Sequence, residues 1–206
     1  MDVPQPVTYV VEHLDPELGP WSALEYGCIA CESRAAGARF LLSSVPTTLE
    51  MPEDLAAMKG LEIDHRSIED RLADRKSTVC LLDPAARVDL SPADAGRFNF
   101  FLFGGILGGR TSGPKRRRDG HLADLQWHVS GDDPPRGMNL LFFSCSLAVS
   151  NIEELWTDRT SELRKKGYVG RRLGSKQMTT DTAVRVTRIV VQERSACHPS
   201  IHPSLL

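Results

Sequence analysis

The chain has 206 residues, 41% of them hydrophobic, and a formal net charge of -2. That length suits one domain with a sizeable core, and a near-neutral charge gives no global pull towards nucleic acid or an anionic membrane. No apolar run reaches the ~18 residues of a spanning helix. MDVPQPVTYVVEHL lacks a basic region followed by an apolar run, so no secretory signal is expected. Five scattered cysteines, an odd number, read as reduced thiols in a cytoplasmic protein.

Thr8 to Glu12, TYVVE, is an aromatic and β-branched run that predicts a buried strand. His13-Leu14-Asp15-Pro16 ends it. Gly19-Pro20 opens a helix with proline in its first turn. Trp21, Leu24, Cys28 and Cys31 follow one face of that helix, and Gly37 closes it. Cys28 and Cys31 form a C-x-x-C without a second pair, so no metal site is expected. Arg39 to Ser44 is the next strand, which makes a β-α-β unit with a parallel pair. Pro46 to Arg75 is polar, with a short helix expected over Ser67 to Ala73. Ser77 to Leu82 is the third strand and ends in Asp83-Pro84. Ser91 to Asp94 reads as a capped helical turn, and Phe98 to Phe103 is the fourth and most apolar strand. It runs into Gly104-Gly105-Ile106-Leu107-Gly108. Near the end, Tyr168 begins a short strand, and a loop with Gly174 and Lys176 follows. Thr179 or Thr180 is an N-cap, and Asp181 puts negative charge in the first turn of a closing helix. Ala183, Val186, Ile189 and Val190 share one face of that helix, although its β-branched residues also allow a strand.

Five strings carry a family resemblance: TYVVEHLDPELGPWSALEY from Thr8, STVCLLDPAA from Ser77, FNFFLFGGILG from Phe98, DRTSELRKKGYVGRRLG from Asp158 and LGSKQMTTDTAVRV from Leu173. Together the chain resembles the SPOUT (α/β-knot) methyltransferases, and within them a eukaryotic branch of protein-arginine methyltransferases acting on a ribosomal protein. The resemblance implies an α/β fold: a largely parallel sheet flanked by helices, with a C-terminal trefoil knot. It also implies S-adenosylmethionine as cofactor, an arginine side chain as acceptor, and a monomer, although homodimers are common in the superfamily. An RNA methyltransferase acting on rRNA or tRNA is the alternative within the fold.

Two blocks depart from the family pattern, 109–131 and 137–157. Removing both leaves GGILG-DDPPR-DRTSELRKKG as one continuous family-like string. We read them as translated intron sequence within a domain spanning 1–193, with 194–206 a foreign tail; genuine loop insertions are the other reading. A chain so interrupted could also be a non-functional product. Lys115-Arg116-Arg117-Arg118, a basic run, and Leu140 to Val149, too short to span a membrane, both lie in these blocks.

Loops at the carboxyl ends of parallel strands meet along one edge, where ligands bind. Glycines there admit close backbone approach, and apolar side chains can sandwich an adenine. The expected cofactor residues are Leu82, Asp83, Pro84, Gly104, Gly105, Ile106, Leu107, Gly108, Leu173, Gly174, Gln177, Met178 and Thr179. There is no G-x-G-x-x-G after the first strand, which argues against an ordinary dinucleotide fold. An arginine acceptor enters as a cation, so a carboxylate must orient it and help remove a proton. Glu12, Asp132 and Asp133 are the expected catalytic carboxylates, and Glu162 also lies near. His13 could serve as a base. Arg136, Arg159, Arg164, Arg171 and Arg172 could grip a carboxylate or be solvated surface.

Overall fold

Thr8–Glu12 (β1) is buried along its whole length, as its unbroken apolar and β-branched pattern requires of a strand covered on both faces. In this computed structural model the described residues are 6–104, 159–176 and 178–194. They fall in one unit, Met1–Gly108 with Leu155–Ser200. After β1 come Pro20–Ala35 (α1), Arg39–Ser43 (β2), Glu53–Ala56 (α2), Leu61–Ile63 (β3), Ile68–Arg71 (α3), Val79–Leu82 (β4), Phe100–Gly104 (β5), Arg159–Lys165 (α4), Val169–Arg171 (β6) and Thr180–Val191 (α5). The strands form a six-stranded sheet in the order β3-β2-β1-β5-β4-β6. Every pairing is parallel.

Side chains alternate between two apolar layers, as the two-residue strand period demands. Tyr9, Val11, Phe40, Leu42, Cys80, Leu82, Phe101 and Phe103 join α1 and α5 on one face. Val10, Leu41, Val79, Leu81 and Leu102 join Ile68 of α3 and Leu163 of α4 on the other. The α/β class and the helices on both sides agree with the sequence reading. The expected knot crossing and both foreign blocks lie outside the described residues.

Three expectations need correction. The inward face of α1 carries Ser22, Glu25, Tyr26, Ile29, Ala30 and Ser33, whereas Trp21, Leu24 and Cys31 are exposed. The inward face thus mixes small Ser22, Ala30 and Ser33 with large Glu25, Tyr26 and Ile29. In α5 the buried residues are Val184, Thr187, Val190 and Val191, a stripe turned by one residue from the expected one. Thr187, outside the expected stripe, is fully buried. The short strand Leu61–Ile63 sits in a stretch read as strandless.

Local signals explain most of the remaining ends. Ser67 caps α3, its Oγ accepting from Asp70 N at 3.1 Å. Ser91 and Asp94 form a reciprocal capping box, which satisfies otherwise orphaned donors. The closing segment is a helix rather than a strand, with Thr179 as N-cap.

Candidate active site

The carboxyl ends of β1, β5, β4 and β6 stand abreast. Glu12 is the register partner of Gly104, Leu81 of Leu102, and Leu82 of Arg171. Adjacent strands lie about 4.8 Å apart, so the loops after Leu82, Gly104 and Arg171 begin within neighbouring strand spacings. Backbone bonds lash two of these loops together: Asp83 N donates to Arg171 O at 2.8 Å, Leu90 N to Arg172 O at 2.9 Å, and Arg172 N to Val88 O at 3.0 Å.

Leu82 and Leu173 both join the apolar layer shared with α1 and α5. Gly174 follows with φ +103°, and a Cβ there would meet nothing within 4 Å. Glycine is therefore needed for the backbone turn, which leaves the loop open to a ligand. Thr179 starts α5, with Met178 half-buried before it and Pro84 exposed after β4. Leu82 is buried in the core, so the groups of this edge open to a ligand are the partly buried Leu173 and the free backbone of Gly174. Gly105, Ile106, Leu107, Gly108, Gln177, Asp132 and Asp133 lie outside the described residues.

Other expected residues face the opposite side of the sheet. Asp83 is buried and accepts from Arg164 on α4, with Nη2 at 2.7 Å. That guanidinium and the Ala85 N–H hold the carboxyl below the usual range although burial pushes it the other way. Gly104 packs on the start of α4: an added Cβ would come within 2.9 Å of Thr160 Oγ1. Glu12 is 1% exposed. Its carboxylate accepts from Ser43 Oγ, from Ser44 Oγ at 2.6 Å and from Ile68 N at 3.2 Å. It thus ties β1 to the end of β2 and the start of α3.

Three described arginines near this edge, Arg164, Arg171 and Arg172, are committed within the fold. Arg171 lies along Asp94, with Nη2 at 3.0 Å from Oδ1, and its guanidinium also sits over the Phe98 ring at 5.5 Å. Arg172 pairs with Asp89, and Arg164 with Asp83. On the α1/α5 face, Arg185 and Arg188 both pair with Glu32 of α1, which clamps the closing helix to the first one.

A cavity of about 370 Å³ opens at the ends of β1 and β2, lined by His13, Leu14, Asp15, Pro16, Ser44 and Pro46. His13 is buried, with Nδ1 3.0 Å from the Tyr26 hydroxyl of α1. Ser44 adopts φ +57°, unusual for a non-glycine residue. It is held there by Oγ on Glu12 and by its N–H on Arg66 O at 2.9 Å. The sequence reading took Asp15-Pro16 as a strand terminator and Ser44 as a strand residue. Neither carried a signal that it would line a cavity.

Comparisons with known proteins follow this geometry. The profile of the family described as protein arginine N-methyltransferase SFM1-like matches residues 8–132 and 153–199. Protein arginine N-methyltransferase SFM1 of Saccharomyces cerevisiae is 34% identical over 204 residues, covering 91% of this chain and 72% of that protein. The crystal structure of the yeast enzyme complexed with S-adenosylmethionine superposes with a TM-score of 0.62 at 31% identity, covering 93% of this chain and 70% of that one. A dual-specific Trm10 from Thermococcus kodakaraensis shares the fold at a TM-score of 0.51 and 13% identity, covering 93% of this chain and 95% of its own. The parallel six-stranded sheet flanked by helices is thus similar to the fold of Trm10. It belongs to the SFM1-like protein arginine N-methyltransferase family.

Proposed function

We propose that this chain is an S-adenosylmethionine-dependent protein-arginine methyltransferase whose acceptor is an arginine of a ribosomal protein. The observation that carries the reading is the 34% identity to yeast SFM1 across 91% of the chain. The loop ends bearing Leu82, Gly104 and Leu173 on adjacent strands agree with it. Leu82, Leu173, Gly174, Met178 and Thr179 are the described residues we assign to the adenosyl side of the cofactor. Asp83, Pro84 and Gly104 shape the loops behind them, and Gly105 to Gly108 and Gln177 complete the set. When bound, the cofactor supplies a sulfonium methyl: the acceptor nitrogen bonds the methyl carbon as the carbon–sulfur bond breaks, sulfur keeps the electron pair, and the guanidinium gives up one proton. The protein's task is to align the acceptor and hold its charge. Glu12 serves by fixing the strand ends, and Asp132 or Asp133 remains the proposed proton acceptor.

A protein acceptor is favoured over RNA because Arg164, Arg171 and Arg172 are neutralised by carboxylates. An RNA face needs unneutralised Lys and Arg against phosphates. We further infer a knotted C-terminus, a monomer and a cytoplasmic location. Incubating the chain with radiolabelled S-adenosylmethionine and purified ribosomal subunits tests the reading. Label recovered as methylarginine in a ribosomal protein is expected. Label in rRNA would transfer the assignment to the RNA branch.

A further inference from the structure

The closing helix α5 is fastened to α1 along its middle and end and opposed at its start, and the start is where the cofactor loop enters it. We propose that Glu25 of α1 is a positioning residue for the cofactor: its carboxyl keeps the first turn of α5, and with it Met178 and Thr179, against α1 only while it carries a proton. This rests on the methyltransferase reading above.

The two helices run side by side in the same direction. Asp181 acts on Glu25, Arg185 and Arg188 pair with Glu32, and Gln192 Nε2 donates to Ala36 O at 3.1 Å. Gln192 Oε1 also accepts from the Tyr9 hydroxyl at 2.9 Å. These contacts at the middle and end of α5 are attractive. At its start the partners are two carboxyl groups. Glu25 is 4% exposed, and neither of its oxygens has a hydrogen-bond partner among the described residues. Asp181 lies in the first turn of α5 and accepts from the Thr179 hydroxyl at 2.6 Å. Asp181 therefore connects Glu25 to the residue that ends the cofactor loop.

Charge decides what this contact does. A buried carboxylate that accepts no hydrogen bond is costly, and a second carboxylate facing it adds to the cost. Burial, and after it the charge of Asp181, pushes Glu25 up to about 8. Protonated, Glu25 is a donor facing an acceptor. Ionised, it sets two like charges across the α1–α5 contact. The cations next along α5, Arg185 and Arg188, are already held by Glu32.

The charged groups of the other elements packed here are engaged or turned away. Arg39 of β2 pairs with Glu62, and Glu12 of β1 accepts from Ser43, Ser44 and Ile68. Asp94 is bound by Arg171, and Glu53 and Asp54 of α2 are exposed. His13 meets Tyr26. Cys28, one turn from Glu25, is pushed up to about 11, chiefly by burial, and stays a neutral thiol while Glu25 titrates. The start of α5 thus answers to the Glu25 proton.

The test is calorimetry of the full chain with 5′-methylthioadenosine. This probe keeps the adenosine and thioether of the cofactor and lacks the α-amino group, which titrates in the same range. Its affinity should fall about ten-fold between pH 7 and pH 9.5. Near pH 8.5, comparison of two buffers of different ionisation enthalpy should show proton uptake on binding. Glu25→Gln keeps a donor facing Asp181 and cannot ionise. Its affinity should not vary over this range, so at pH 9.5 it should bind about ten-fold more tightly than the parent, a gain that poor folding cannot produce. A parent affinity level across this range, binding without proton uptake, or the same fall in Glu25→Gln would overturn the coupling and leave the cofactor site standing. No binding of 5′-methylthioadenosine or S-adenosylmethionine at any pH would overturn both.

Discussion

Glu25 sits on the inward face of α1, buried, with neither carboxylate oxygen hydrogen-bonded among the described residues. Burial pushes its carboxyl up to about 8, and the negative charge of Asp181 at the start of α5 adds to the effect. A carboxyl whose folded value is raised holds its proton more tightly in the native state. Its contribution to stability is full below the ordinary range near 4.5 and is lost as pH rises through about 8. That change is on the order of a few kcal/mol. Thermal unfolding should therefore show the melting temperature falling between pH 5 and pH 9. Glu25→Gln, which keeps the shape and cannot ionise, should flatten the slope. A variant whose slope matches the parent would show that Glu25 titrates normally.

At the scale of elements, Gly104 shows how a residue read for one purpose serves another. The sequence reading placed it in a cofactor loop, and the structure adds a packing demand from Thr160 of α4. Gly104→Ala should cost about 1–3 kcal/mol by overpacking. Thr160→Ala in the same chain should recover part of that, because the 2.9 Å contact to Oγ1 disappears while the backbone contacts remain. Chemical denaturation of the two single variants and the double variant measures the coupling, and strict additivity would count against the contact. The strands were legible because β1 and β5 are covered on both faces and therefore read as unbroken apolar runs. The face of α1 was not, because Trp21 and Leu24 follow one helical face by periodicity, whereas the buried face runs through Ser22, Glu25, Tyr26, Ile29, Ala30 and Ser33, where polar residues hide the pattern. The loop ends at Leu82, Gly104 and Leu173 were legible as strand-terminal turns. The cavity was not, since Asp15 and Ser44 come together only through the β1–β2 register and the turn at Ser44. No local pattern in the sequence encodes that pairing.

For the whole molecule, residues 109–131 and 137–157 are added to a fold whose described residues form a six-stranded sheet. The family profile matches residues 8–132 and 153–199, so the first block lies inside the matched span and most of the second lies between its two parts. Loop closure alone argues for indifference, since doubling a flexible loop costs only about 0.6 kcal/mol. Threading argues otherwise. Both blocks fall between β5 and α4, ahead of the closing helix of the proposed knot, and Leu140 to Val149 is an apolar run in the sequence. The two arguments separate in one measurement, cofactor affinity by calorimetry on the full chain and on a chain lacking both blocks. If the blocks are translated intron sequence, the shortened chain should bind S-adenosylmethionine at least about ten-fold more tightly and melt at a higher temperature, because the native state no longer competes with unthreaded forms. Affinities within about two-fold of each other would identify the blocks as tolerated surface loops, and the translated-intron reading would fall.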